Sequence, residues 1–190
     1  MKNVYQAILE NVKMKILKSS DRDLFSDQFE NVTYNTYAIE TPSLDKTQTV
    51  VKIDKEIIGF HNAPSGVSFS PGSYMDYAIF QIPIIGNLEL FGNIVGNQFY
   101  NGSNKYVNGR NFLYKEFSSQ PISGNEPLIE QIKERAKNSV NGLETALASF
   151  KKVAENFNQN ELKNLISEVT ASEKEKRNTK SDSENKLNPF

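Results

Sequence analysis

The hydrophobic period of this chain changes along its length, and that constrains the fold more than any motif. Tyr5, Ile8, Leu9, Val12, Ile16 and Leu17 recur at helical spacing with polar residues between them, which predicts an amphipathic first helix. Ser20 or Asp21 in SSDRDLF offers an N-cap for a second short helix running towards Tyr34. Pro42 closes that region, because the residue before a proline disfavours helix. From Thr47 the period falls to two. In TQTVVKIDKEIIGF, Val51, Ile53 and Lys55 point one way and Val50, Lys52 and Asp54 the other, so a strand with one mostly buried face is expected. SYMDYAIFQIPI is a second strand, and Asn-Gly at 101–102 and 108–109 marks tight turns between further apolar stretches.

Residues 47–118 therefore predict an antiparallel sheet of roughly four to six strands. Beyond SSQPISGNEP the helical period returns. Leu128, Ile129, Ile132, Ala136, Val140, Leu143, Leu147 and Phe150 fit one long helix, with Gly142 a weak point inside it. NFNQNE predicts a break, ELKNLISEVTASEKEKR a further helix, and NTKSDSENKLNPF a stretch too polar to pack. The expected architecture is α+β. It has N-terminal helices and a central antiparallel sheet over residues 1–122, long C-terminal helices over 123–178, and a disordered tail or linker over 179–190.

Composition narrows the function classes. The 190 residues carry a net charge of −1, which supplies no global field for nucleic acid. There is no cysteine, so disulfides, thiolate nucleophiles and cysteine-ligated metals are excluded. The N-terminus lacks an uninterrupted apolar core of the kind a signal peptide needs. No stretch approaches the ~18 apolar residues of a membrane span. A cytoplasmic protein with no membrane attachment is expected.

Candidate chemistry is sparse. Gly86, Gly92 and Gly96 lack the Lys-Ser/Thr that completes a phosphate loop, and they do not fit the dinucleotide fingerprint, since the segment is expected to re-enter sheet. Turns and a bulge are the ordinary reading of IIGNLELFGNIVG, with Pro83 at a strand edge. Asp54 and Glu56 lie two apart on a predicted strand and share a face. With His61, the only histidine, they are the candidates for a magnesium-dependent nuclease. The ordinary reading is a solvated strand face and a turn histidine. Tyr106 with Lys105 and Arg110 interleaves aromatic and basic groups, as a single-strand-binding sheet would, although aromatics are also what sheet cores are made of. No metal or cofactor is expected. The apolar stripe of the C-terminal helices exceeds what a small sheet covers, so Leu143, Leu147 and Phe150 are the expected surface for a protein partner or for self-association.

One resemblance goes beyond these residues. Ile82, Pro83, Gly86, Leu90 and Phe91 match an Ile-Pro-Phe-x-Gly-Asp-x-x-Leu-Phe strand-turn, with Ile84 in place of the Phe and Asn87 in place of the Asp. Phe157, Asn158 and Leu162 match a Phe-Asn-x-x-x-Leu helix, and Leu187 with Pro189 stands where a linker begins. In this order the segments resemble the N-terminal module of a family of uncharacterised bacterial proteins linked to antiphage defence. Its members often continue into a restriction-endonuclease-like or TIR-like effector domain. The resemblance implies a non-catalytic sensing, assembly or protein-interaction module that regulates such an effector. Any catalysis would then lie in a linked domain beyond residue 190. No site residue comes with it.

Overall fold

The computed structural model describes residues 2–60, 68–96 and 104–188. It is an α+β structure: N-terminal helices, a central antiparallel sheet, and long C-terminal helices. The chain divides into two compact units, residues 40–151 and residues 1–39 with 152–190. The N-terminal helices thus group with the C-terminal ones, whereas the sequence placed them with the sheet. The reason is apolar matching, since the buried faces of the N-terminal helices meet Phe157, Leu162 and Ile166.

In the helical unit, α1 (Lys2–Leu17) turns Val12 and Ile16 inward. They bury against Leu24 of α2 (Asp21–Leu24), Phe29 of α3 (Phe29–Tyr37) and Phe157, Leu162 and Ile166 from the C-terminal segment. Ser20 caps α2, its hydroxyl accepting from Asp23 N–H at 3.2 Å. Arg177 closes the far end of α1, donating to the Leu17 and Ser19 carbonyls at 3.2 and 2.8 Å and to Asp21 at 2.6 Å. A guanidinium on the last carbonyls of a helix satisfies acceptors that have no intrahelical partner.

The expected break at NFNQNE is a correction. After α5 (Glu126–Asn156) the chain stays helical through a π-helical turn, Phe157–Leu162, into α6 (Lys163–Leu187). In an i→i+5 turn, residues five apart stack, which carries Phe157 and Leu162 to one buried face. Asn158 beside them directs its amide at Ile39, accepting from its N–H and donating to its C=O, both at 3.0 Å. α6 also runs through residues assigned to a tail. Its Glu and Lys are good helix formers, Lys180 meets Glu184 one turn on at 3.6 Å, and Thr179 and Ser183 turn their hydroxyls to carbonyls one turn back.

In the sheet unit, β3 (Ser73–Ile85) is the spine. It pairs with β5 (Asn111–Ser118) on one side, from Asp76↔Ser118 to Pro83↔Asn111. On the other it pairs with β2 (Val50–Ile58), from Val50↔Gln81 to Ile58↔Ser73. β4 (Lys105–Asn108) joins β5 through a two-residue turn at Gly109 and Arg110, and the short β1 (Ser43–Leu44) pairs with the end of β3. Pro83 is tolerated because β2 ends opposite Gln81 and β1 begins opposite Ile84, so no strand there needs its missing N–H.

Ile82, Ile84, Phe112 and Tyr114 form a core with Ala136, Val140, Leu143 and Leu147 of α5. Phe91 and Val95 complete it from α4 (Leu88–Val95). This helix corrects the expectation that the Gly-Asn turn re-enters sheet. Gly86 turns the chain at φ +92°, a conformation that favours glycine. Asn87 then caps the helix, its Oδ1 accepting from Leu90 N–H at 2.9 Å.

Candidate interaction surface

β2 does not have the mostly buried face its alternation predicts. Val51, Ile53 and Ile57 stand opposite Phe80, Ala78 and Tyr74 and so lie on the α5 side of the sheet. The apolar side chains that α5 covers come from β3 and β5. The apolar β2 side chains on this face are half exposed: Val51 is 52% exposed, Ile53 46% and Ile57 51%, with Tyr74 beside them at 68%. β2 pairs with β3 alone among the described strands.

The hydrogen bonds show which backbone groups face the open edge. The Ile58 carbonyl accepts from Gly72 on the β3 side at 2.7 Å. Lys55 N–H is taken instead by the carboxylate of its neighbour Asp54, at 2.8 Å. Backbone groups alternate sides along an antiparallel strand, so Val51 and Ile53 also present theirs outward. A strand edge whose backbone groups point outward is a template for pairing with another chain.

Asp54 and Glu56 do share the opposite face of β2, but Glu56 is engaged by Lys115 at 2.6 Å. Lys115 in turn sits 4.3 Å above the Tyr77 ring. Burial works against the Lys115 charge, yet the hydrogen bond and charge of Glu56 outweigh it and hold the ammonium above its ordinary range. His61 lies outside the described residues. Among those described, no three histidine, cysteine or carboxylate side chains gather as a metal site.

Lys105 and Tyr106 are successive strand residues on opposite faces, and the Arg110 guanidinium donates to the Gly86 carbonyl at 2.9 Å. The three do not converge into a basic, aromatic strip. Leu143, Leu147 and Phe150 are buried within the chain. The first two belong to the sheet core, so the stripe expected to bind a partner is spent on the chain's own fold. No helix among the described residues is long and apolar enough to cross a membrane.

Sequence reasoning missed a buried polar network under α5. Tyr114 donates to Glu116, whose carboxylate also accepts from Arg135 at 2.7 Å. Burial first, then the Glu116 hydrogen bond, raises the Tyr114 phenol above its ordinary 10.0. A phenol with a higher folded than unfolded pKa adds stability below the unfolded value and loses it as the pH climbs towards the folded one. Ultraviolet titration is therefore expected to show a tyrosine resisting ionisation until alkaline unfolding, and Tyr114→Phe to remove that component. If every tyrosine titrates near the ordinary value in the folded protein, Tyr114 is not buried as described.

Comparison of the chain with protein-family models, with curated proteins and with solved structures found no match.

Proposed function

We propose that this chain is a non-catalytic protein-interaction module that regulates a bacterial defence effector, with the open edge of β2 as its working surface. The observation that carries the interaction reading is the half-exposed pair Val51 and Ile53 on a strand whose outer edge no described strand covers. Lys55 shares this face and reaches Asp76 at 3.6 Å, so the apolar part of the edge is Val51 and Ile53, and exposed apolar side chains at such an edge suit an interaction site. Strand addition also gives affinity through the main chain and specificity through alternate side chains. The defence context rests on the resemblance of the strand-turn and Phe-Asn motifs.

The test is phage plating on the source bacterium carrying its native gene, the gene deleted, or Ile53→Lys. Ile53→Lys alters an exposed position, so its thermal stability should stay within about 0.5 kcal/mol of the parent. Its plating should nevertheless match the deletion. Equal plating with and without the gene would sink the defence reading. Full protection by a folded Ile53→Lys protein would remove β2 from it.

A further inference from the structure

The proposed function leaves the occupant of the edge open, and the charge pattern of β2 selects one. We propose that a second copy of this chain fills it. The two β2 strands pair antiparallel about a two-fold axis at Ile53, continuing each sheet into the other. This inference rests on the interaction reading above and deepens it.

A two-fold between antiparallel strands places residue i opposite residue j with a fixed sum, so each centre can be checked against VVKIDKEII. Centred on Lys52, the lysine faces its own copy. Centred on Asp54, the aspartate does the same. Centred on Lys55, that lysine faces itself and Asp54 faces Glu56. Like charges directly opposite destabilise a sheet. Centres at Val51 and Ile57 bring no like charges together but no opposite ones either. Centred on Ile53, like charges are absent and opposite ones meet: Lys52 faces Asp54 at both ends, Ile53 faces Ile53, and Val51 lies along the stem of Lys55. Glu56 is not required, being held by Lys115 within its own sheet at 2.6 Å.

The backbone agrees with the same centre. Val51, Ile53 and Lys55 turn their hydrogen-bonding groups outward, so the Ile53 pair exchanges both N–H···O bonds. Lys55 N–H, now on the Asp54 carboxylate at 2.8 Å, passes to the Val51 carbonyl of the second copy. The carboxylate it leaves is free to meet Lys52 across the axis. In the separate chain Asp54 masks an edge donor; in the pair it becomes a cross-strand ion-pair partner. The apolar row of one sheet then runs on into that of the other.

The experiment is light scattering behind size exclusion on the chain and three variants, each checked for fold by circular dichroism. The parent is expected at twice 21.5 kDa. Lys52→Glu and Asp54→Lys should each halve that mass, since each creates like-charge pairs at both contacts. An equal mixture of the two variants should regain the dimer, because the mixed pair brings opposite charges together at both contacts. Ile53→Cys tests the register directly. The chain has no cysteine of its own, and a hydrogen-bonded antiparallel pair sets Cα atoms about 5.5 Å apart, within disulfide reach. Oxidation should therefore yield a covalent dimer.

A parent mass of 21.5 kDa at every concentration overturns self-pairing. A dimer that survives both charge variants, or that Ile53→Cys fails to cross-link, overturns this register. The plating assay separates these failures from failure of the broader reading. A monomeric chain whose Ile53→Lys variant still loses protection has an edge that binds some other strand; one whose variant keeps protection does not use the edge.

Discussion

Leu143→Ala is expected to cost about 2–5 kcal/mol, enough to consume a large part of the roughly 5–15 kcal/mol that holds a domain folded. Leu143 is 0% exposed and sits in the cluster that joins α5 to the sheet through Phe112 and Tyr114, with Phe91 of α4 in the same cluster. Truncation removes buried methyl groups and leaves a cavity walled by rigid aromatic rings and strands, which relax only in part. In urea the midpoint should fall steeply, and the transition followed by tyrosine fluorescence should report it because Tyr114 lies in the same cluster. Leu143→Glu should leave no folded sheet unit, since an unpaired carboxylate would replace a core side chain. The contrast is Val153→Ala on the exposed side of α5, 52% accessible, with a change within about 0.5 kcal/mol. If Leu143→Glu gives a folded chain of altered oligomeric mass, Leu143 belongs to an interface and not to this core.

How far the sequence could be read follows from what side-chain period encodes. A period of 3.6 or 2 says which residues share a face, and so the helix carrying Ile132, Val140 and Leu147 and the strand carrying Tyr77 and Ile79 could be recognised. Period says nothing about which face has a cover or which strand is last in a sheet. Val51 and Ile53 alternate like core residues and are half exposed. Only the pairing of β2 with β3, set by residues far apart in the chain, shows that they lie on an edge strand among the described ones.

Short polar residues misled for a related reason. Asn87 carries a turn preference, but its side chain caps a helix. The Asn-rich NFNQNE looked like a break because Asn competes with helical hydrogen bonding in isolation. Here Asn158 finds its partner at Ile39, distant in sequence. Of the candidate residues, the pairing of Asp54 with Glu56 on one face could be read from their spacing. The Lys115 partner that occupies Glu56 could not, because it comes from another strand.

Asn158→Leu is expected to destabilise the helical unit by about 1–3 kcal/mol for each backbone group it strands. The Asn158 side chain is 8% exposed and matches Ile39 as a neighbouring strand would, one acceptor and one donor at 3.0 Å each. A leucine fills similar space and gains apolar burial, yet it answers neither the Ile39 N–H nor its carbonyl. The variant thus separates packing from polar satisfaction, and its sign is decided by which is larger.

Burying a few extra methyl groups contributes at most about 1.5–3 kcal/mol, and a shape mismatch at the tight π-helical turn reduces that further. Two unsatisfied groups outweigh it. Asn158→Asp supplies the control: it keeps the acceptor for Ile39 N–H but points a second oxygen at the Ile39 carbonyl. Protonating that carboxylate restores a donor, so this variant, unlike Asn158→Leu, should recover stability as the pH is lowered into the carboxylate range. Equal urea midpoints for the parent and Asn158→Leu would mean that the amide does not hold the end of α3 to the C-terminal helix. The π-helical turn would then owe its position to Phe157 and Leu162 alone.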